Sequence, residues 1–162
     1  MSDAVLSLGS NIGDSRQFLA DAVEQLGVEV RAVSSLYRTP PWGGVDQDDF
    51  LNIAVLCTSS QDAADDPHFW LRRCHELEAT AGRTREVRWG PRTLDADVVV
   101  IGELEFSDAT LTIPHPLAHE RAFVLVPWAE IDPAAELPGH GPIEQLIVGL
   151  DVSDIERVGQ LR

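Results

Sequence analysis

The sequence contains no lysine; all twelve of its basic residues are arginines. That absence excludes Schiff-base chemistry, a lysine-anchored cofactor and the phosphate loop that depends on a lysine. Any phosphate bound by this chain must be held by arginine, metal or backbone amides. Cysteine is nearly absent as well. Cys57 and Cys74 have no paired spacing, which argues against a zinc motif and a disulfide framework and leaves both expected as reduced residues of a cytoplasmic protein. No apolar run reaches the roughly 18 residues that a membrane span requires. The opening MSDAVLSLGSN has no basic region ahead of its apolar residues, so no signal peptide is expected. Basic charge is scarce, 12 residues against 27 acidic ones for a net charge of −15. That balance disfavours nucleic acid and anionic membrane as partners.

What is present fits one domain over residues 1–162, with 44% hydrophobic residues to build a core. The scarce cations are not spread evenly. Arg83, Arg85, Arg88 and Arg92 fall just ahead of Asp95 and Asp97, which open the apolar run Val98 to Ile101. That run reads as a buried strand, and residues two apart in a strand share a face. Two adjacent carboxylates can chelate a hard cation such as Mg²⁺ or share a proton. The guanidinium forks beside them suit phosphate oxygens, and together they point to a nucleotide-phosphate site. The plainer alternative is a strand end whose charges form surface ion pairs.

Along the chain, Ala4 to Leu8 reads as a first strand. The turn GSNIGD leads into a helix capped by Asp14, with Phe18, Leu19, Ala22, Val23 and Leu26 on one stripe and Gly27 as its stop. That turn lacks both common glycine-rich phosphate patterns and reads as an ordinary strand-to-helix connection. Val28 to Tyr37 reads as a second strand. RTPPWGGVDQDD is a long loop whose Trp42 is either a stacking residue or an aromatic folded back on the core. Phe50 to Cys57 reads as a central third strand. Its Asn52 needs hydrogen-bond partners, either backbone groups or the rim of a planar heterocycle.

Asp62 to Ala81 follows helical spacing; Glu78, one turn from its end, and His75 could face either solvent or the site, and taken alone both read as surface residues. Leu94 to Ile101 is the fourth strand, and Glu103 to Leu111 a short hairpin. His115 and His119 are four apart, but Pro114 and Pro116 flank the first, so no helical His–His metal site forms. Ala122 to Ala129 reads as a short apolar helix disrupted by Pro127, and Ile143 to Leu150 as a last short helix. The tail carries no signal. The order strand, helix, strand, strand, helix, strand predicts an α+β fold with a ferredoxin-like βαββαβ core. Its antiparallel sheet carries helices on one face, with additional short strands and helices.

The stretch WGPRTLDADVV resembles the signature of the 6-hydroxymethyl-7,8-dihydropterin pyrophosphokinase family. The matching positions are Arg88, Gly90-Pro91-Arg92, Asp95, Asp97 and Val98-Val99. SLGSNIGD, SSLYRTPPWG, DFLNIAV and IPHPLAHERAFVLVPWAEIDP look like further family blocks in family order. The resemblance implies transfer of pyrophosphate from ATP to the hydroxymethyl oxygen of the pterin, with release of AMP, in folate biosynthesis. It implies two Mg²⁺ ions on Asp95 and Asp97. Arg83, Arg85 and Arg92 correspond to phosphate-facing and mobile-loop positions, with Arg83, Arg92 and Asp97 as catalytic residues. Glu78, Trp89, Val98, Thr112, His115 and Arg121 correspond to ATP positions. The pterin would lie between Phe50 and Phe123, with Asn52 at its rim and Thr39, Pro40, Pro41, Trp42 and Trp89 around it.

Ala96 stands where the signature usually has a larger aliphatic residue. It alternates with the aspartates and so faces the other side of the sheet, where a packing adjustment is expected. Phe50 stands where tyrosine is common, keeping the ring without the hydroxyl, and Pro116 departs beside His115. A cytoplasmic monomer with ATP and a hydroxymethyl dihydropterin as its ligands is expected. Asp97 or metal activation of the hydroxyl remain alternatives for deprotonation. Two other readings stand beside the kinase: an RNA-binding sheet, disfavoured by the net charge, and a metal-dependent phosphohydrolase.

Overall fold

The structure is a computed structural model that describes residues 2–41, 48–59, 61, 66–82 and 93–161. Its centre is β1 (Ser2–Ser10), paired antiparallel on one side with β4 (Phe50–Ser59) and on the other with β5 (Asp95–Ile101). Beyond β4 lie β2 (Val30–Val33) and β3 (Leu36–Thr39), both antiparallel to β4, and beyond β3 lies β10 (Glu156–Gly159). The strand order is therefore β10–β3–β4–β1–β5, with β2 pairing β4 beside β3. β5 is an edge strand.

Two helices cover one face. α1 (Ser15–Leu26) starts where the Asp14 carboxylate accepts the Gln17 N–H at 3.2 Å and stops at Gly27, whose φ of +59° suits a residue without Cβ. It buries Leu19, Ala22, Val23 and Leu26. α2 (His68–Thr80) buries Phe69, Trp70, Cys74 and Leu77. These side chains pack on Leu6, Leu8, Ile53, Val55, Ala96 and Val98, and large buried residues of this kind stabilise a fold by about 1.5–3 kcal/mol each. The α2 start expected at Asp62 falls partly on residues outside those described.

The structure corrects the expectation of helices on one face. α3 (Ala122–Ile131) and α4 (Ile143–Val148) pack on the opposite side, where Val124, Leu125, Trp128 and Ile143 meet Val5, Ala54, Val99 and Val100. Pro127 does not interrupt α3, which runs on to Ile131. A proline removes one intrahelical hydrogen bond; Pro127 is buried, and the packing of Val124, Leu125 and Trp128 on this face outweighs that loss.

The expected second strand is split as well. At Ser34 the side chain joins the ladder, its N–H donating to the Ala54 carbonyl and its Oγ accepting the Ala54 N–H, both at 2.9 Å. Ser35 turns instead to α3, donating from N and Oγ to the Glu130 carboxylate at 2.9 and 2.8 Å. The tail supplies β10, and two small hairpins complete the fold: β6 (Phe106–Ser107) with β7 (Thr112–Ile113), and β8 (Glu136–Leu137) with β9 (Gly141–Pro142).

Candidate active site

Strand register sets out one row of residues across the sheet face that α3 covers. Asp95 lies opposite Gly9, Gly9 opposite Asn52, and Asn52 opposite Tyr37. Directly opposed residues share a face, and alternation adds Asp97, Ser7, Phe50 and Thr39 to it. Asn52 is buried and donates from Nδ2 to Thr39 Oγ1 at 2.6 Å. Its Oδ1 faces Gly9, where a Cβ would meet that oxygen at 2.6 Å and Phe50 Cδ1 at 3.5 Å. Gly9 thus leaves open floor between the amide and the carboxylates. In sequence Gly9 looks only like a turn residue.

The carboxylates stand at the strand edge, beside a cavity of about 430 Å³. Leu71, His75 and Glu78 of α2 line one wall and residues 108–112 the other, with Asp95–Val98, His115 and Pro116 between them. Glu78, whose carboxylate the sequence leaves free to face solvent or the site, is buried and lines this cavity. Its Oε2 accepts the backbone N–H of Ala96 at 3.0 Å.

Register slips in β5 at Val99, the one residue there without a partner on β1. Bulges of this kind release a backbone group from the ladder, and the Val99 carbonyl accepts the His115 N–H at 2.8 Å. His115 is thereby fixed beside the carboxylates. Its Nδ1 accepts the Leu117 N–H at 3.2 Å, so the ring hydrogen sits on Nε2. Burial and the nearby Arg121 guanidinium lower its pKa to about 4, against the opposing pull of Asp95. The imidazole is a neutral donor at neutral pH. Arg121, itself 5% exposed, has its pKa lowered by burial, with Asp97 and Asp95 opposing the shift. The guanidinium also lies over the Phe123 ring at 5.5 Å.

Carboxylates, a buried guanidinium, a neutral imidazole and an aromatic-and-amide floor occupy one end of the sheet, and comparison with known proteins supplies the lineage. Residues 5–133 match the family described as 7,8-dihydro-6-hydroxymethylpterin-pyrophosphokinase. The chain belongs to this family.

A 2-amino-4-hydroxy-6-hydroxymethyldihydropteridine pyrophosphokinase of Methylorubrum extorquens is 49% identical, covering 98% of this chain and 99% of its own. That of Mycobacterium bovis is 41% identical, covering 100% and 91%. Among solved structures, an HPPK-DHPS in complex with substrates superposes with a TM-score of 0.70 at 10% identity. A wild-type HPPK-DHPS of Plasmodium falciparum does so with 0.66 at 13%. These two cover 96% and 91% of this chain, which spans 46% and 44% of theirs, and at such identity they speak for the fold alone.

The family motif residues fall into two groups. Thr39, Phe50, Asn52, Asp95 and Asp97 share the sheet face, with Arg121 and Phe123 entering from α3. Glu78, Val98, Thr112 and His115 line the cavity at the β5 edge. Pro40 and Pro41 continue the chain from β3. Arg83, Arg85, Arg88, Trp89, Arg92 and Trp42 lie outside the described residues. Ala96 is buried against the α1–α2 layer, on the face away from the aspartates.

Proposed function

We propose that the cavity at the β5 edge takes ATP and the adjoining sheet face takes 6-hydroxymethyl-7,8-dihydropterin, so that pyrophosphate passes between them beside Asp95 and Asp97. The chain is a pyrophosphokinase of folate biosynthesis by family. The observation carrying this assignment of its site is the row Asp95–Gly9–Asn52, which links the acidic edge to a floor fit for a flat ring. The strand order, with helices after β1 and β4, reads as a ferredoxin-like core.

The nucleotide end is built from backbone and small polar groups. Val98 sits two residues beyond Ala96 on the same strand edge, so its backbone N–H and C=O point outward in the same sense. They offer one donor and one acceptor to a purine rim, with Thr112 across the cavity. His115 presents Nε2–H and Arg121 a fixed positive charge to phosphate oxygens. Arg83, Arg85 and Arg92 of the signature would add further guanidinium forks. At the other end Phe50 and Phe123 supply rings for stacking, and Asn52 with Thr39 the hydrogen bonds that select a pterin rim. Pro40, Pro41, Trp42 and Trp89 would border it.

The donor set fits magnesium. Two carboxylates on one strand face, with Ser7 beside Asp97 and no side chain on Gly9, leave room for phosphate oxygens and water. Among the described residues no three His, Cys, Asp or Glu side chains gather as a cage, and Mg²⁺ held by one or two carboxylates plus phosphates needs none. Two such ions, when bound, would neutralise charge on the transferring group. Asp95 and Asp97 would hold them, while the residues around the cavity orient the β-phosphorus toward the pterin hydroxyl and exclude water from it. Positioning and electrostatics are the main terms in phosphoryl transfer.

No helix of the described residues is long and apolar enough to cross a membrane; a cytoplasmic monomer remains our reading. An RNA-binding sheet is disfavoured by the net charge of −15 and because α3 packs over Val5, Ala54 and Val100 in the middle of that face, which interrupts any extended platform.

Incubation with ATP, Mg²⁺ and the hydroxymethyl dihydropterin tests the assignment. AMP should form only when the pterin is present, and Asp97→Ala should abolish it while the fold persists. Phosphate release without pterin would mean a hydrolase, and full activity of Asp97→Ala would remove the carboxylates from the mechanism.

A further inference from the structure

We propose that His68 is a positioning residue for the nucleotide, because it ties the outer wall of the ATP cavity to α2. The inference rests on reading that cavity as the ATP site.

Residues 68, 71, 75 and 78 fall on one helical face. Leu71, His75 and Glu78 line the cavity directly, while His68, one turn earlier, reaches across to the opposite wall. That wall is the 108–112 segment, and it is organised around Asp108. Oδ1 of Asp108 accepts the N–H groups of Thr110 and Leu111 at 2.8 Å each and the Thr110 hydroxyl at 3.2 Å. Oδ2 is left for His68 Nε2, at 2.8 Å. The same ring nitrogen lies 3.3 Å from Thr110 Oγ1, and Phe106 meets the imidazole edge-on at 5.7 Å.

The ring is held from the helix side as well. Asp66 Oδ1 accepts the His68 N–H at 3.0 Å and lies 3.4 Å from Nδ1, while Asp66 Oδ2 is 3.6 Å from Arg72. Asp66, His68 and Asp108 therefore form a bridge from the first turn of α2 to the facing loop. Neither His68 nor Asp108 belongs to the motifs that carry the family resemblance.

Buried Leu111, the Asp108 N–H bond to the Leu111 carbonyl at 2.9 Å and the Ser107–Thr112 hydroxyl contact at 3.1 Å order the base of the loop, while its Asp108–Thr110 tip meets α2 through His68. β6 and β7 pair through only two residue couples, Phe106 with Ile113 and Ser107 with Thr112. A wall free to move must be ordered when the nucleotide binds, and that ordering weakens affinity. His68 removes this cost before ATP arrives. It touches no reacting group, so its loss should appear in nucleotide binding and not in the chemical step.

The test compares His68→Ala, His68→Gln, Asp108→Asn and the double variant His68→Ala/Asp108→Asn with the parent enzyme. MgATP binding is read by calorimetry, steady-state constants for both substrates by AMP formation, and folding by thermal unfolding. For a pair exposed by only about a third (30% and 37% of the side chains), His68→Ala should weaken ATP binding and raise its KM about two- to fivefold. Its kcat and pterin KM should stay within about twofold. His68→Gln should recover part of the loss, and the double variant should be no worse than the weaker single variant, because both remove one bridge. Unchanged ATP affinity in His68→Ala overturns the proposal. So does an equal rise in both KM values with a lowered melting temperature, which would mark His68 as merely structural. A parent enzyme that binds no MgATP overturns the reading of the cavity itself. Normal binding by the parent with no effect of His68 overturns the tether alone.

Discussion

Glu78 Oε2 and the backbone N–H of Ala96, the residue between Asp95 and Asp97, form a hydrogen bond of 3.0 Å across the edge of β5. An edge strand leaves a donor unpaired at every second residue, and here α2 supplies the acceptor. The bond joins the helix wall of the cavity to the strand that carries the carboxylates. Glu78→Ala removes the partner of a buried N–H and should cost about 1–3 kcal/mol. The loss should appear as a lower urea midpoint with an unchanged slope. Glu78→Gln keeps an acceptor of the same reach and should retain most of that stability. Equal losses in both variants would show that charge, not this bond, is what matters.

Gly9 gives a sharper test of the pterin floor. A methyl group there would sit 2.6 Å from Asn52 Oδ1, which is closer than contact allows. Asn52 must then swing away from Thr39, losing a hydrogen bond that orients its amide. Gly9→Ala should raise the pterin KM about tenfold, the equivalent of one ordinary hydrogen bond, with a much smaller change for ATP. An unaltered pterin KM would place the ring elsewhere.

His115 links stability to pH. Its pKa in the fold, about 4, lies below the ordinary 6.5. Between those values the unfolded chain takes up a proton that the folded chain excludes. Stability should therefore fall as pH drops from about 6.5 to about 4 and level off below, by up to about 3 kcal/mol from this group. The difference in unfolding free energy between parent and His115→Asn, followed across that window, isolates the contribution. A constant difference would mean that His115 titrates normally.

Tyr37 is the only tyrosine in the chain, so tyrosinate absorbance reports it alone. Burial and the hydrogen bond to Glu130, at 2.8 Å, push its pKa up to about 12. Burial also pushes Glu130 up, but bonds from Ser35 and Tyr37 outweigh it and hold the carboxyl below its ordinary value. In the folded protein tyrosinate should be absent below about pH 11, and Glu130→Gln should bring its onset down. Tyr37→Phe should cost about 0.5–1.5 kcal/mol by loosening α3 from β3.

Much of this architecture was legible because local signals and tertiary demands agree. Asp14 and Gly27 punctuate α1 in the chain as they do in space, and the Asp95/Asp97 alternation survives folding intact. Other features have no local signature. α3 is apolar but for Glu130, so its sequence cannot say which face of the sheet it covers, and its packing overrides Pro127. β10 pairs through backbone groups with a mostly exposed pattern, leaving nothing periodic to read. Gly9 resembles any glycine before a turn, because the contact that requires it comes from Asn52 on another strand. His68 and Asp108 are forty residues apart in the chain, and only the fold makes them neighbours.

The slip at Val99 gives β5 two phases. Ahead of it, even-numbered residues face α1 and α2 and the aspartates face α3; beyond it, Val100 faces α3 and Ile101 the other layer. A residue gained or lost between Asp95 and Val98 would turn at least one carboxylate to the wrong side. The same change at Val99 would fall on the strand's one expansion joint, where regular pairing can absorb it, and the loss would be the carbonyl that seats His115. Length variation along this strand therefore has one tolerated address, and its penalty should fall on nucleotide handling while the side chains packed on either face of the sheet stay as they are.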